Sequence, residues 1–261
     1  IKKTILQSNS KIYVEKFLVH EKFTPSDLIE IHNRPNYVKF LSQNTISKLI
    51  LYFHNDPLTM NGSKSLIERR DLLKKTHKLV FNSKWSRDRF LQSFNKFEIP
   101  KDKLNVIYQS SKKVKINFKK KRKIISFVGK LNSAKGYDLF GSAILKILDK
   151  YKDWKAIVIG DEPREKLTFR HKNLKILGFK SHRIVLNYFN IVSISVVCSR
   201  WEEPFGRTSL EASSRGCALI ISNKGGLPET TNHALVLKKL TSKEIFNKIE
   251  FLIKNKKLRQ S

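Results

Sequence analysis

Short apolar runs alternate with helical patterns through the second half of the chain. The apolar runs predict strands at 124–129, 156–160, 174–178, 192–199 and 218–222. The 3.6-residue patterns predict helices at about 136–151, 181–190 and 207–215. Continuous apolar strands separated by helices are typical of a parallel sheet covered on both faces. Ligands bind beyond the carboxyl ends of such strands, so functional residues are expected there.

The first half of the chain is less regular but predicts the same class. Its apolar runs at 27–32, 48–54 and 78–83 each end in a polar residue. Gly62 is the only glycine before residue 129, and the rest of the ten glycines fall between Gly129 and Gly226. This asymmetry predicts two α/β domains of different chemistry. The expected boundaries are a first domain at 1–112, a basic linker at 113–123 and a second domain at 124–261.

Both ends of the sequence lack the signals that open or close a domain. The chain begins on Ile1, its only methionine is Met60, and no strand with a glycine-rich turn precedes residue 27. The last residues, KEIFNKIEFLIKNKKLRQS, stop inside a helical pattern without a glycine cap or a proline. We therefore expect the first domain to be incomplete at its start and the second at its end.

The charge of the chain raises the question of an anionic partner. The net charge is +31 and the pI is near 10.2, which would suit nucleic acid or an anionic membrane. Abundant lysine, asparagine and isoleucine are equally typical of an AT-rich genome. The densest basic run, 112–123, contains no tyrosine or tryptophan for base stacking. A nucleic-acid partner is therefore not expected, whereas peripheral contact with an anionic membrane remains open.

The cysteines predict a reducing compartment, and the sequence lacks the residue spacing of a metal site. Cys198 and Cys217 are the only cysteines and have no metal-ligand spacing, which predicts a cytoplasmic protein. The sequence has no Asp-x-Asp motif, so a divalent metal is not indicated. No apolar run approaches the roughly 20 residues that span a bilayer.

The stretch WEEPFGRTSLEASSRGCALIISNKGG, residues 201–226, places two glutamates around a turn. Seven residues separate Glu203 from Glu211, and Pro-Phe-Gly lies between them. A helix after this turn would hold Glu203 at its start and Glu211 one to two turns further in. Backbone N–H groups at a helix start favour an anion. The alternative is an amphipathic helix with two solvated carboxylates.

The loop FVGKLNSAKG, residues 127–136, places two lysines between a strand and a helix. The strand ends at Gly129, and Lys130 and Lys135 lie in the turn that follows. Two ammonium groups beside a helix start suit a diphosphate. The alternative is a pair of solvated lysines.

Together these two stretches resemble the donor site of the family 4, or group 1, glycosyltransferases. The resemblance is strong for 124–230 and implies the GT-B fold, an α/β fold of two Rossmann-like domains with parallel sheets facing a cleft. It implies that the two lysines hold the donor diphosphate at Gly129, that Glu203 faces the donor sugar and that Glu211 faces the ribose. The backbone near the sugar phosphate would come from Phe205, Gly206, Arg207 and Thr208.

The sequence departs from the family pattern at two positions. Lys130 stands where the family more often has arginine, so a bidentate grip on phosphate is lost. Cys198 precedes Ser199 where the family commonly has proline. The GGLPE segment at 225–229 matches a recurring family element near the nucleotide, and a plain loop explains it equally well.

Two histidines end predicted strands in the first half. His54 in LYFHNDP matches the strand-end histidine that the family places on its acceptor side, so the resemblance implies a catalytic role for His54. His32 ends the preceding run in IEIHNRP. The alternative for His54 is a cap on the turn formed by 55–57.

The resemblance implies transfer of a sugar, with retention of configuration, from a nucleotide diphosphate sugar to a saccharide or lipid-linked acceptor. The expected pathway is cell-envelope polysaccharide or lipopolysaccharide synthesis, and the expected location is cytoplasmic, at the inner face of the membrane. The donor is a substrate, and neither a cofactor nor a metal is expected. The alternatives are a nucleotide-sugar epimerase of the same architecture and a basic protein that binds RNA or anionic lipid.

Overall fold

The structure is a computed structural model that describes residues 11–95, 97, 99–112 and 114–260. The chain divides after Tyr108 into two compact units. Each unit is built on a parallel sheet. No helix among the described residues is both long and apolar enough to cross a membrane.

The described part of the first unit contains a four-stranded sheet in the order β1-β2-β3-β4. Its strands are β1 (Leu28–His32), β2 (Lys48–Phe53), β3 (Lys78–Phe81) and β4 (Leu104–Val106). Its helices are α1 (Lys11–Phe23), α2 (Asn36–Asn44), α3 (Leu66–Lys75) and α4 (Lys84–Phe90). All three strand pairs are parallel, so the carboxyl ends of β1 and β2 lie side by side, with His32 opposite Tyr52.

Side-chain caps fix the starts of α3 and α4 in the first unit. Ser65 and Glu68 form a capping box at α3, in which Ser65 Oγ accepts from the Glu68 N–H at 3.2 Å. Ser83 caps α4 by accepting from the Ser86 N–H at 2.9 Å. Such caps satisfy N–H groups that have no partner inside the helix. Ser83, which ends a predicted apolar run, is therefore a helix cap in the structure.

The second unit contains a six-stranded parallel sheet in the order β10-β9-β8-β5-β6-β7. The strands are β5 (Ile124–Val128), β6 (Lys155–Ile159), β7 (Leu174–Ile176), β8 (Ile194–Val197), β9 (Ala218–Ser222) and β10 (Leu235–Leu237). The helices are α5 (Tyr137–Lys150), α6 (His182–Ile191), α7 (Arg207–Ser214), α8 (Ser242–Lys254) and α9 (Lys256–Gln260). The order places β5 beside β8, so the loops that follow these two strands are neighbours.

The predicted α/β class with two parallel sheets is confirmed, and its elements lie close to their predicted positions. Helix α7, for example, is predicted at 207–215 and spans Arg207–Ser214. Two strands were not predicted, β4 and β10, and each has only three residues and a half-exposed pattern. An apolar run that short carries no readable period. Residues 1–10, which belong to the stretch without a predicted opening strand, lie outside the described residues.

The predicted linker at 113–123 differs from the structure. The boundary between the units falls after Tyr108, and the basic segment belongs to the second unit. Lys121 Nζ donates to the carbonyl oxygens of Phe189 at 2.8 Å and Val192 at 2.7 Å, at the end of α6. A helix carboxyl end attracts a cation because its last carbonyl groups have no partner inside the helix. Lys113 lies outside the described residues.

Candidate active site

Helix α7 and the turn before it form the centre of the candidate site. Gly206 is the N-cap of the helix and has φ 111°, in the left-handed region that favours glycine. Phe205 is buried, and Thr208 in the first turn is half-buried. Glu203 precedes the turn, and Glu211 follows in the second turn of α7.

The two glutamates are largely withdrawn from solvent. The side chain of Glu203 is 14% exposed and that of Glu211 is 11% exposed. Buried carboxylates require charged or hydrogen-bonding partners, and each of the two has at least one. The alternative of two solvated carboxylates on an amphipathic helix is therefore wrong.

Lys135 is the partner of Glu203. The Lys135 ammonium and a Glu203 carboxylate oxygen form an ion pair that connects the loop after β5 to the loop after β8. Gly136 makes this approach possible. Its φ is 75°, and a Cβ atom there would lie 2.0 Å from the Cys198 carbonyl oxygen. The structure thus brings together one lysine and one glutamate that the sequence assigned to one site.

Lys130 lies in the same loop but is not paired. It follows Gly129, is exposed, and has no carboxylate within ion-pairing distance among the described residues. Asn132 shapes the loop between the two lysines, because its side chain accepts from the Lys135 N–H at 3.0 Å. The loop therefore offers one available ammonium group and one that a carboxylate holds.

Glu211 has two side-chain partners, Arg207 and His182. Its Oε1 accepts from Arg207 Nη2 at 3.0 Å, and His182 Nε2 lies 2.9 Å from the same oxygen. Arg207 is one helical turn away in sequence, but His182 is the first residue of α6. Sequence reasoning missed His182, whose only signal was its place at the start of the helix after β7.

An arginine clamp, formed by Arg200 and Asp138, supports the loop at 127–136 that carries Lys130 and Lys135, here called the lysine loop. Arg200, after β8, donates to both carboxylate oxygens of Asp138, at 2.6 and 2.7 Å, and to the Ser133 carbonyl at 2.5 Å. The hydrogen bond from Arg200 is the main reason that the pKa of Asp138 lies below its ordinary value. This clamp was also missed, since it joins residues far apart in sequence.

The GGLPE segment lies against the glutamate stretch. The Gly226 N–H donates to the Glu203 carbonyl at 2.7 Å, and the Gly225 N–H donates to Glu202 Oε2 at 2.5 Å. The segment after β9 therefore supports the backbone that carries Glu203.

The cysteines of the second unit are structural. Cys198 and Cys217 are buried free thiols. Burial raises the pKa of Cys198 to about 12 and that of Cys217 to about 11. A thiol must ionise to act as a nucleophile or metal ligand, so neither cysteine is poised for that chemistry. Among the described residues, no group of three or more His, Cys, Asp or Glu side chains could hold a metal ion.

Two histidines of the first unit, His32 and His54, form a stacked pair at the carboxyl ends of β1 and β2. His32 Nδ1 lies 3.0 Å from His54 Nε2, and the ring centroids are 5.3 Å apart. Glu30 extends the row, because its Oε2 lies 3.5 Å from His32 Nε2 while its Oε1 accepts from the Tyr52 hydroxyl at 2.9 Å. Burial, and then the neighbouring His32, lower the pKa of His54.

His54 does not cap the turn that follows it. The turn is capped by Asp56, whose Oδ1 accepts from the Leu58 N–H at 3.0 Å. His54 Nδ1 is buried and has no hydrogen-bond partner in the part of the chain that the structure describes. The alternative of a turn-capping histidine is therefore wrong. The ring of His54 stacks on His32 instead.

Comparison with known proteins agrees with the predicted fold class. The structure is similar to the crystal structure of Anabaena Alr3699/HepE in complex with UDP, with a TM-score of 0.76 and 18% sequence identity. The match covers 95% of this chain and 74% of that one. At this identity the similarity shows the fold alone. That fold is GT-B, with two α/β units that each contain a parallel sheet.

Two sequence relatives match parts of the chain. The uncharacterized glycosyltransferase MJ1607 of Methanocaldococcus jannaschii is 31% identical over 160 residues, covering 52% of this chain and 40% of the relative. The lipopolysaccharide 1,2-N-acetylglucosaminetransferase of Salmonella typhimurium is 22% identical over 250 residues, covering 83% of this chain and 61% of the relative. The chain thus spans less than two thirds of the length of either relative.

The family model described as glycosyl transferases group 1 matches residues 109–261. This region coincides with the second unit, and it contains the lysine loop and both glutamates. Because the match takes in more than half of the sequence, the chain belongs to the glycosyl transferases of group 1.

Proposed function

We propose that the chain transfers a sugar from a nucleotide diphosphate sugar to a saccharide or lipid-linked acceptor, with retention of configuration. The observation that carries the proposal is the ion pair between Lys135 and Glu203, close to the start of α7. It places a cation for phosphate beside a carboxylate for sugar hydroxyls. Crystal structures of the similar HepE in complex with UDP and with UDP-glucose support a donor of this kind.

Each group of the site has a role in holding the donor. Lys130 and Lys135 bind the diphosphate, and Lys135 exchanges its carboxylate partner for phosphate when the donor enters. Glu203 then accepts hydrogen bonds from the sugar hydroxyls. Glu211 accepts from the two ribose hydroxyls, because a carboxylate can accept from vicinal hydroxyl groups. Phe205, Gly206, Arg207 and Thr208 provide backbone beside the sugar phosphate.

The same groups lower the barrier to transfer. Negative charge develops on the leaving diphosphate, and fixed cations and helix N–H groups at that point stabilise the transition state. The acceptor hydroxyl attacks the face from which the diphosphate leaves, and a leaving phosphate oxygen takes the acceptor proton. This step needs neither a carboxylate base nor a metal. His54 donates a hydrogen bond to the sugar or to the reacting centre once its Nε2 leaves His32.

The setting proposed for this activity is the assembly of cell-envelope polysaccharide or lipopolysaccharide at the inner face of the cytoplasmic membrane. The similarity to the lipopolysaccharide transferase of Salmonella typhimurium supports the pathway. The net charge of +31 suits work beside an anionic membrane.

A thermal-shift screen against UDP-, GDP- and ADP-sugars tests the donor class. A ligand at 100 times its Kd adds about 2.7 kcal/mol to the free energy of unfolding. The matching donor should raise the Tm, and Lys130→Ala should reduce that shift. The proposal fails if none of these nucleotide sugars stabilises the protein. Conversion of the donor without an acceptor would instead identify a nucleotide-sugar epimerase.

A further inference from the structure

A cavity in the second unit is lined by basic side chains. It has a volume of about 390 Å³, within the range of roughly 300–1,000 Å³ typical of small-molecule sites. Five of its lining residues are cationic, namely Lys121, Arg122, Lys123, Lys256 and Arg259. No aspartate or glutamate is among the described residues that line it.

This cavity lies at the amino ends of the strands, whereas the candidate active site lies at their carboxyl ends. Lys123 and Ser193, which line the cavity, directly precede β5 and β8. Lys130 and Glu203 follow the carboxyl ends of the same strands. The five residues of β5 span roughly 16 Å. The cavity is thus separate from the proposed donor site and does not depend on the proposed function.

Two cations that line the cavity are partly buried without a carboxylate partner. Lys121 Nζ donates to the two carbonyl oxygens at the end of α6, and Arg259 Nη1 donates to those of Leu252 at 2.5 Å and Ile253 at 3.0 Å. Neither has an ion pair with a described residue. Burial lowers the pKa of both Lys121 and Arg259.

Burying a charge is unfavourable unless the charge is paired. Carbonyl groups supply hydrogen-bond acceptors but no full negative charge, so an anion in the cavity would stabilise both cations. The guanidinium of Arg259 is held in place as well, since it stacks on the Trp154 ring with 5.1 Å between its central carbon and the ring centroid.

The rim of the cavity carries two further cations that are available to a ligand. Arg122 and Lys256 are exposed, and neither side chain makes an ion pair with any residue that the structure describes. Lys123 differs, because Asp153 is its ion-pair partner. Phe118 adds an apolar ring to the lining and is 37% exposed.

We propose that this cavity binds a phosphate-bearing anion. A phosphate group carries up to two negative charges and several acceptor oxygens, and the planar guanidinium groups of Arg122 and Arg259 match its geometry. A carboxylate would compensate only one of the buried cations. The phosphate belongs either to a small soluble compound or to a phospholipid headgroup, for which exposed Phe118 would provide apolar contact.

The test compares Arg122→Gln/Lys256→Gln with the control Lys146→Gln/Lys175→Gln. Both double variants remove the same charge from exposed positions in the second unit, whereas Arg259→Gln would also break contacts to α8. The soluble probe is inorganic pyrophosphate, measured by calorimetry at about 150 mM ionic strength, where long-range attraction is largely screened. The membrane probe is a phosphatidylglycerol and phosphatidylcholine vesicle, with pure phosphatidylcholine as its blank, measured by sedimentation.

We expect the cavity variant to bind at least one probe about tenfold more weakly, because it loses two charged hydrogen-bond donors. The affinity of the control variant for each probe should change by less than about twofold. If the cavity variant loses affinity for pyrophosphate alone, the ligand is a soluble phosphate compound. If it loses affinity for the vesicles, the ligand is a phospholipid headgroup. Equal losses in both double variants, or no binding of either probe, overturn the proposal. So does pyrophosphate binding that survives in the cavity variant and disappears in Lys130→Ala.

Discussion

Lys135 and Glu203 neutralise each other in the structure, although each is proposed to bind a different part of the donor. The lysine side chain is 31% exposed and the glutamate 14% exposed, so the pair is partly shielded from water. Phosphate must replace Glu203 on the lysine, and sugar hydroxyls must replace Lys135 on the glutamate. Binding of the complete donor therefore replaces both partners together.

Glu203→Gln should make the nucleoside diphosphate bind more tightly while the nucleotide sugar loses affinity. The substitution releases Lys135 for phosphate and removes the sugar acceptor. The gain should be several-fold, since a partly exposed ion pair contributes up to about 1 kcal/mol. Calorimetry with both ligands gives the two affinities. Glu202→Gln is the control, because that carboxylate pairs with Lys224 instead; weaker binding of both ligands in Glu203→Gln would contradict the exchange.

Lys130→Ala and Lys135→Ala should each weaken binding of the nucleoside diphosphate far more than binding of the nucleoside. Loss of one charged hydrogen bond to phosphate corresponds to about tenfold in affinity or more. Titration of each variant with both ligands measures the difference, and exposed Lys146→Ala on α5 is the charge-matched control. If diphosphate and nucleoside lose equally, the lysines act only through general charge.

Glu211→Ala should abolish the preference for ribose over 2′-deoxyribose. The unsubstituted chain should bind the ribonucleotide more tightly by about 1.5–3 kcal/mol, the contribution of a hydrogen bond to a charged group. Competition binding with the matched pair of nucleotides measures the preference. His182→Ala, which removes a neighbour of Glu211 Oε1 without removing the carboxylate, should retain most of it. An unchanged preference in Glu211→Ala would refute the ribose assignment.

The histidine pair should make folding stability depend on pH. Burial, followed by the nearby His32, lowers the pKa of His54 in the folded chain. The unfolded chain therefore takes up the proton first as the pH falls, and the folded state loses stability below the ordinary histidine pKa of about 6.5. His54→Gln should reduce the drop in Tm between about pH 7.5 and pH 5.5. His20→Gln, at an exposed helix position, is the control and should leave the drop unchanged.

Turnover should not require a divalent metal. The proposed stabilisation of the leaving diphosphate comes from Lys130, Lys135 and the start of α7, and loss of one such donor typically costs about 2.7–4 kcal/mol of transition-state stabilisation. The measurement is transfer by the complete enzyme with its matching donor in excess EDTA. Activity that EDTA abolishes and Mg²⁺ or Mn²⁺ restores would show that the lysine assignment is incomplete.

Much of the fold could be predicted because central parallel strands are buried on both faces. Strand β9, which lies between β10 and β8, begins with four consecutive apolar residues at 218–221 for that reason. The edge strands β4 and β10 have three residues each and remain partly exposed, so their sequences carry no such signal.

The candidate site could be predicted where its geometry is local. The turn before α7 and the loop before α5 each lie within ten residues or so, and glycine and proline mark their bends. The partners of these residues depend instead on strand order. Arg200 and Asp138 are 62 residues apart and meet because β8 lies beside β5. His182 and Glu211 are 29 residues apart and have no common motif.

The partly buried ammonium of Lys121 has a consequence for protein engineering. Since it caps the end of α6, the basic segment before β5 folds as part of the second unit. A chimera that joins this unit to the first domain of another glycosyltransferase should therefore be cut after Tyr108. A junction at residue 123 would replace Lys121 with a foreign residue and leave the carbonyl groups of Phe189 and Val192 without their cation.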